Sequence, residues 1–260
     1  MDKKLREACL GGQYQHFISL GCNCQVALEL EQLGLRDSSM PYDWIRTKWK
    51  AIEHTINTDF ADFLKYDNLF QDKRTPYIYT DFACGTTFVH DFVDYFSLKS
   101  QMKRVNKKYR RRIELFKHNI CEPTLFIRYC RDREELIYIA ENYASIEKTF
   151  KQYHSLNDIV FITHEKTENI PDTVLDKIEH LFVFEKDETI DFDSTPISKC
   201  PDLLWLLTNA AYDKRESNLA FLQEKIAKDQ KPLPFHKRLQ RRYICFYKRT
   251  HKKYTHHKVF

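Results

Sequence analysis

Between residues 124 and 187 the chain alternates three continuous apolar runs with two helical patterns, an order that few folds accept. "TLFIRYC" reads as a strand. It is followed by "REELIYIAENYASIEKTFKQY", whose Leu136, Ile139, Tyr143, Ile146 and Phe150 recur at helical spacing. "DIVFITHE" reads as a second strand, "DTVLDKIEH" as a helix and "LFVFEKD" as a third strand. Strands apolar on both sides need cover on both faces, and alternation with helices makes their pairing parallel. "HFISLG", a short apolar run ending in Gly21, is expected to join the same sheet. The expectation is therefore an α/β fold, a three-layer α/β/α domain with a largely parallel sheet.

The rest of the chain is arranged around that unit. After Gly21, Val26, Ala27, Leu30 and Leu33 fall on one helical face, with Glu29 and Gln32 turned away and Gly34 placed as a C-terminal cap. Residues 36–120 read as an inserted mixed segment. In it "SSMPYDWI" is a turn leading into a helix, with Trp44, Trp49, Ile52 and Ile56 as core. "PYIYTDFACGTTFVHDF" is a pair of short strands, and "LKSQMKRVNKKYRRRIELFKHNI" a basic helix burying Met102, Val105, Tyr109, Ile113 and Phe116. "CPDLLWLL" opens one or two late helices, and "KPLP" breaks the chain before a basic tail. The expected organisation is one domain over residues 1–230 and a tail over residues 231–260.

Charge divides the chain the same way. Residues 231–260 carry ten Lys and Arg and no acid, which leaves 32 basic against 37 acidic residues in the body, a net of −5. An anionic partner is expected for the tail. With Leu239, Ile244, Phe246 and Tyr247 between its cations, an anionic membrane surface is favoured over nucleic acid. Only five glycines are present and no phosphate-loop pattern, so nucleotide-binding loops of that kind are excluded. The start of the chain lacks an apolar signal core, so a cytoplasmic protein with reduced cysteines is expected, peripheral at the inner face of the membrane through its tail. None of the eight cysteines forms a Cys-x-x-Cys pair, and neither a metal nor a cofactor is expected.

The chemistry concentrates where "FISLG" meets the following helix. Cys24 falls at the N-cap or first turn, where the helix dipole and free N–H groups favour a thiolate, so its pKa is expected to fall. Those N–H groups can also stabilise an oxyanion. A nucleophilic cysteine needs a base, and "FVHDF" offers His90, with Asp91 or Asp94 to orient the imidazole. The bland alternatives are a buried N-cap thiol and a histidine satisfying backbone at a strand end. Arg128 and His164 end apolar strands, where parallel sheets place functional groups. Arg128 is read either as a substrate-anion ligand or as the ion-pair partner of a buried carboxylate. Asn23, Asp43 and Trp44 complete the candidate substrate-binding set, although Asp43 and Trp44 suit a turn lock after Pro41 at least as well.

"ISLGCNCQVALELEQLGLRDSSMPYDWI", "FVHDF", "YRRRIELF" and "PTLFIRYC" together resemble a bacterial family of unknown function described as papain-like cysteine peptidases. The matching positions are Cys24, the turn from Ser39 to Trp44, His90 with Asp91, Arg112 and Arg128, over about residues 17–165. Cys22 falls at a variable position of that pattern. The resemblance implies a thiol peptidase with Cys24 as nucleophile. The residues themselves support a wider expectation, a cysteine-dependent hydrolase or acyl-type transferase. The alternative is an α/β enzyme or binding protein for an anionic metabolite or surface-glycan precursor, in which Arg128 and the helix N-terminus hold the anion and Cys24 is incidental.

Overall fold

Four parallel strands form the centre of the protein, whose computed structural model describes residues 3–164, 170–184 and 195–210. These strands are β1 (His16–Ser19), β6 (Thr124–Cys130), β7 (Asp158–Thr163) and β8 (Leu181–Val183), in the order β1-β6-β7-β8 with every pairing parallel. The register is Ile18 to Phe126 and Ile127 to Val160. Side chains alternate across a strand, so each strand feeds two cores. Ile18, Phe126, Ile159 and Phe161 enter one, and Phe17, Leu125, Ile127, Val160 and Ile162 the other.

Each face is covered, as the apolar runs require. On one lie α1 (Lys3–Leu10), α2 (Gln25–Gln32) and α7 (Pro201–Ala210), packed through Leu5, Val26, Leu30, Leu203 and Leu207. On the other lie α3 (Trp49–Asn57), α4 (Leu98–Asn119), α5 (Arg133–Lys151) and α6 (Asp172–Leu175). Each buried Leu, Ile or Phe contributes about 1.5–3 kcal/mol relative to exposure. Helix α5 starts cleanly because the Asp132 side chain accepts from Glu135 N at 2.9 Å, and its first turn is acidic and its last basic. The expected three-layer α/β/α arrangement is present.

The inserted segment builds a second sheet. Strands β2 (Ile45–Thr47), β3 (Leu69–Gln71), β4 (Tyr79–Asp81) and β5 (Thr86–Phe88) pair antiparallel in the order β2-β5-β4-β3. The β4–β5 hairpin matches the expected pair of short strands. Strands β2 and β3 are additions to the sequence reading, and "SSMPYDWI" leads into β2, with helix α3 following only from Trp49. Helix α4 buries Met102, Val105, Tyr109 and Phe116 as expected, together with Arg112.

One expectation is corrected on α2. Glu29, read as turned away, is 2% exposed. Its carboxylate accepts from Ile197 N, Ser198 N and the Ser198 hydroxyl at 2.6–2.8 Å, so hydrogen bonds replace the water it loses. Gly34 does close the helix, with φ +69° and Leu35 N donating to Leu30 O at 2.8 Å.

All described residues belong to one compact unit, Met1–Lys214. The late helices past residue 210, the "KPLP" break and the tail over residues 231–260 lie outside the described residues. Among the described residues no helix is long and apolar enough to cross a membrane.

Candidate active site

Parallel strands share a direction, so the ends of β1, β6 and β7 open on one edge of the sheet, where functional groups gather in such folds. The chain leaves β1 through Leu20 and turns at Gly21, whose φ of +80° suits glycine. A Cβ there would stand 2.6 Å from Thr47 Oγ1 and 3.2 Å from Arg128 Nη1, so packing demands glycine as well.

That turn is held by Arg128, which is completely buried. Its Nη1 donates to Leu20 O at 2.7 Å and to Thr47 Oγ1 at 3.0 Å, and its Nη2 donates to Thr47 O at 2.8 Å. Nη2 also pairs with Glu135, whose Oε1 accepts Trp49 N at 2.6 Å. Thr47 N in turn donates to Cys22 O at 3.2 Å. One guanidinium therefore ties together β1, β2, β6 and the starts of α3 and α5. Of the two readings of Arg128, the ion pair with a buried carboxylate is the one present.

The turn delivers Cys24 as the N-cap of α2. Its side chain makes no cap bond, because Asn23 supplies one instead: Asn23 Oδ1 accepts Gln25 N at 3.0 Å and its Nδ2 donates to Gln25 Oε1 at 2.7 Å. Asn23 is buried and belongs to this local structure. The half-buried Cys24 thiol is thus left out of the capping network. Its pKa is raised, not lowered: burial outweighs the opposing pull of its own backbone N–H and of the Arg46 charge. The expected depression is overturned because the dipole acts through a few N–H groups, whereas burial removes solvent from the whole thiolate. Cys22, two residues earlier, is pushed up to about 11 by burial, with Arg128 opposing.

The candidate base lies at one end of the antiparallel sheet. Ile45 pairs with Phe88, so Trp44 just before β2 and His90 just after β5 emerge at the same end. Their rings meet edge to face at 6.4 Å, with His90 exposed. Trp44 is fixed from behind: its Nε1 donates to Ser39 Oγ at 3.3 Å and the Arg36 guanidinium lies 5.4 Å from its ring. Arg36 also pairs with the fully buried Asp43 at 2.9 Å, and Asp43 accepts Met40 N at 2.9 Å. Burial raises the Asp43 carboxyl to about 6 although Arg36 opposes it. Asp43 is therefore a turn lock, out of reach of solvent.

The remaining candidates separate. Asp91 is buried, and its carboxylate pairs with Lys108 and accepts the Tyr109 hydroxyl at 2.8 Å. It anchors the His90 segment to α4. Asp94 is half-buried four residues beyond His90. His164 packs beside Tyr129 and Phe184, with ring centroids 5.6 and 5.8 Å away. Arg46 was missed by the sequence reading. It is an exposed cation on β2 whose charge reaches the Cys24 thiol, and no motif around it gave a signal. Among the described residues no group of three or more His, Cys, Asp or Glu stands ready to hold a metal ion.

Comparison with known proteins gives two matches and one absence. A family profile described as "Putative papain-like cysteine peptidase" covers residues 15–167. An uncharacterized protein of Acanthamoeba polyphaga mimivirus is 32% identical, over 38% of this chain and 54% of its own length. The chain thus spans about half the length of this curated relative, whose viral source gives no support to a bacterial restriction. No solved structure matches the chain.

Proposed function

The chain belongs to the family described as papain-like cysteine peptidases, and from that premise we propose a cysteine-dependent hydrolase or acyl-type transferase with Cys24 as nucleophile and His90 as base. The observation that carries this reading is the thiol itself, held at a helix N-terminus on the open edge of a parallel sheet and released from capping by Asn23. Because burial keeps that thiol protonated, His90 acts as a general base during attack, not as one half of a standing ion pair. The thiolate adds to an acyl carbon while the imidazole takes the thiol proton. N–H groups at the start of α2 receive the developing oxyanion. The leaving group departs with the proton from the imidazole, and water or another acceptor then cleaves the thioester and restores the thiol. Asp94 orients the imidazole, Asp91 fixes the segment that carries it, and Arg46 meets an anionic group of the substrate. Trp44 sets the imidazole's position through its ring edge.

Intact-mass screening with acyl electrophiles tests the reading. Wild type is expected to accumulate one acyl adduct, mapped to Cys24, and Cys24→Ala none at that peptide. An adduct on another cysteine with equal yield in Cys24→Ala removes the proposal. The anion-binding alternative, without a cysteine nucleophile, then keeps Arg46 as its cation, since Arg128 is completely buried and both its terminal nitrogens already serve protein groups.

A further inference from the structure

From Lys99 to Arg112 the sequence carries eight Lys and Arg and no acid. On α4 six of these, Lys99, Lys103, Arg104, Lys107, Arg110 and Arg111, are exposed. At 3.6 residues per turn they span about 140° of one helix face and, at 1.5 Å per residue, about 18 Å of its length. Lys99, Lys103, Lys107 and Arg111 follow one another at i,i+4, an arrangement of like charges that destabilises a helix. Ordinary solvated helix faces mix the signs. Here Arg104 donates to Asp91 O at 2.7 Å, and the other five make no ion pair among the described residues.

A groove of about 960 Å³ runs beside this face, with Lys99 and Arg110 on its rim. Phe60, Phe63 and Met102 line it with Tyr66, which is 50% exposed. The carboxylates Asp59, Asp67 and Glu114 line it too, so the phosphate-binding cations are those on the open helix face beside it. Phe96, 57% exposed, precedes the helix. A dense row of cations flanked by exposed aromatic faces suits phosphates with bases that can stack. A membrane surface fits less well, because the apolar residues of α4 (Met102, Val105, Tyr109 and Phe116) are buried in the core and leave no apolar anchor among the cations.

We propose that the exposed face of α4 and its adjoining groove bind single-stranded nucleic acid, with the cations on phosphates and Tyr66 and Phe96 stacking on bases. This surface is separate from the thiol chemistry and stands without it.

The test is fluorescence anisotropy with a labelled oligouridylate of about 16 nucleotides, the upper end of single-strand site sizes. It uses the full chain, so the basic tail contributes equally to every variant. Replacing Lys103, Lys107 and Arg111 together by Gln removes three phosphate contacts. The slope of log affinity against log salt should shrink by about 2, and low-salt binding should weaken about tenfold or more. Tyr66→Ala should weaken binding with the slope unchanged, the signature of lost stacking. The triple variant relieves like-charge repulsion, so its melting temperature should hold or rise, which separates lost binding from lost folding. Unchanged affinity and slope in the triple variant overturn the proposal. So does a variant that keeps the oligonucleotide but loses sedimentation with phosphatidylserine vesicles, which assigns the face to lipid.

Discussion

The parallel sheet and the antiparallel insertion are held together by different physics. Strands β1, β6 and β7 are continuous apolar runs, and their positions follow from packing on both faces. The insertion's strands are three residues each, too short to specify register by pattern alone. Buried polar groups locate them instead. Asp81, fully buried, accepts Leu64 N at 2.7 Å and the N–H groups of Ala83 and Cys84 at 3.1 and 3.2 Å. Arg128 and Glu135 fix β2, Arg36 and Asp43 fix the turn before it, and Asp91 fixes the exit from β5. In the proposed site the first region supplies the thiol and the second the histidine. The relation between them is set by side chains, whose hydrogen bonds are directional in a way that apolar packing is not.

The strongest way to break this division is at the joint. Arg128→Ala leaves the Glu135 carboxylate buried without its cation, and the loss expected is about 3–5 kcal/mol. Chemical denaturation measures it. Replacing both partners, Arg128→Met with Glu135→Leu, removes the unpaired charge and should recover only part of that stability, since Leu20 O, Thr47 O and Trp49 N lose their partners, while acyl transfer to Cys24 stays impaired. If the double variant also keeps full reactivity, the joint does not position the site.

A smaller effect separates the regions by pH. Asp43 has a folded pKa of about 6, above the value of about 3.9 for an exposed Asp, so between these limits the folded state binds the extra proton. Wild-type stability from this group therefore falls as pH rises from 4 to 6, by up to about 3 kcal/mol, and Asp43→Asn lacks that slope. Denaturation of both proteins across this range checks the difference. Parallel curves would place the Asp43 titration elsewhere.

The smallest effect compares two thiols only two residues apart. Burial puts Cys22 at about 11, whereas Cys24 is half-buried with a smaller rise. Iodoacetamide labelling should favour Cys24 over Cys22 at pH 8, in a Cys121→Ser background because Cys121 is exposed. Its rate should climb through pH 9 without levelling off near 7. A plateau near 7 would mean a standing thiolate–imidazolium pair.

The same contrast explains what could be read from the sequence. The run from Thr124 to Val183 announced its strands and helices because apolar periodicity is the signal that packing obeys. Cys24 at a helix start and Gly34 at its end were legible because backbone geometry restricts those positions. The direction of the Cys24 shift was not, since it depends on how much protein covers the sulfur. Arg128 could be placed at a strand end, but its partner Glu135 lies on α5, and only the fold brings both to Thr47. Glu29 misled for the same reason: its hydrogen-bond donors come from residues 197 and 198, far along the chain. Arg46 had no local signature at all.

The most direct measurement is the rate at which an activated thioester acylates Cys24 in wild type and in His90→Gln, followed by intact mass at pH 7. General-base assistance contributes about 10²–10⁴-fold. His90→Gln should therefore slow acylation at least about a hundredfold at pH 7, with the gap narrowing as rising pH ionises the thiol directly. Equal rates in the two proteins at pH 7 would contradict the pairing of a thiol from the parallel sheet with a histidine from the insertion.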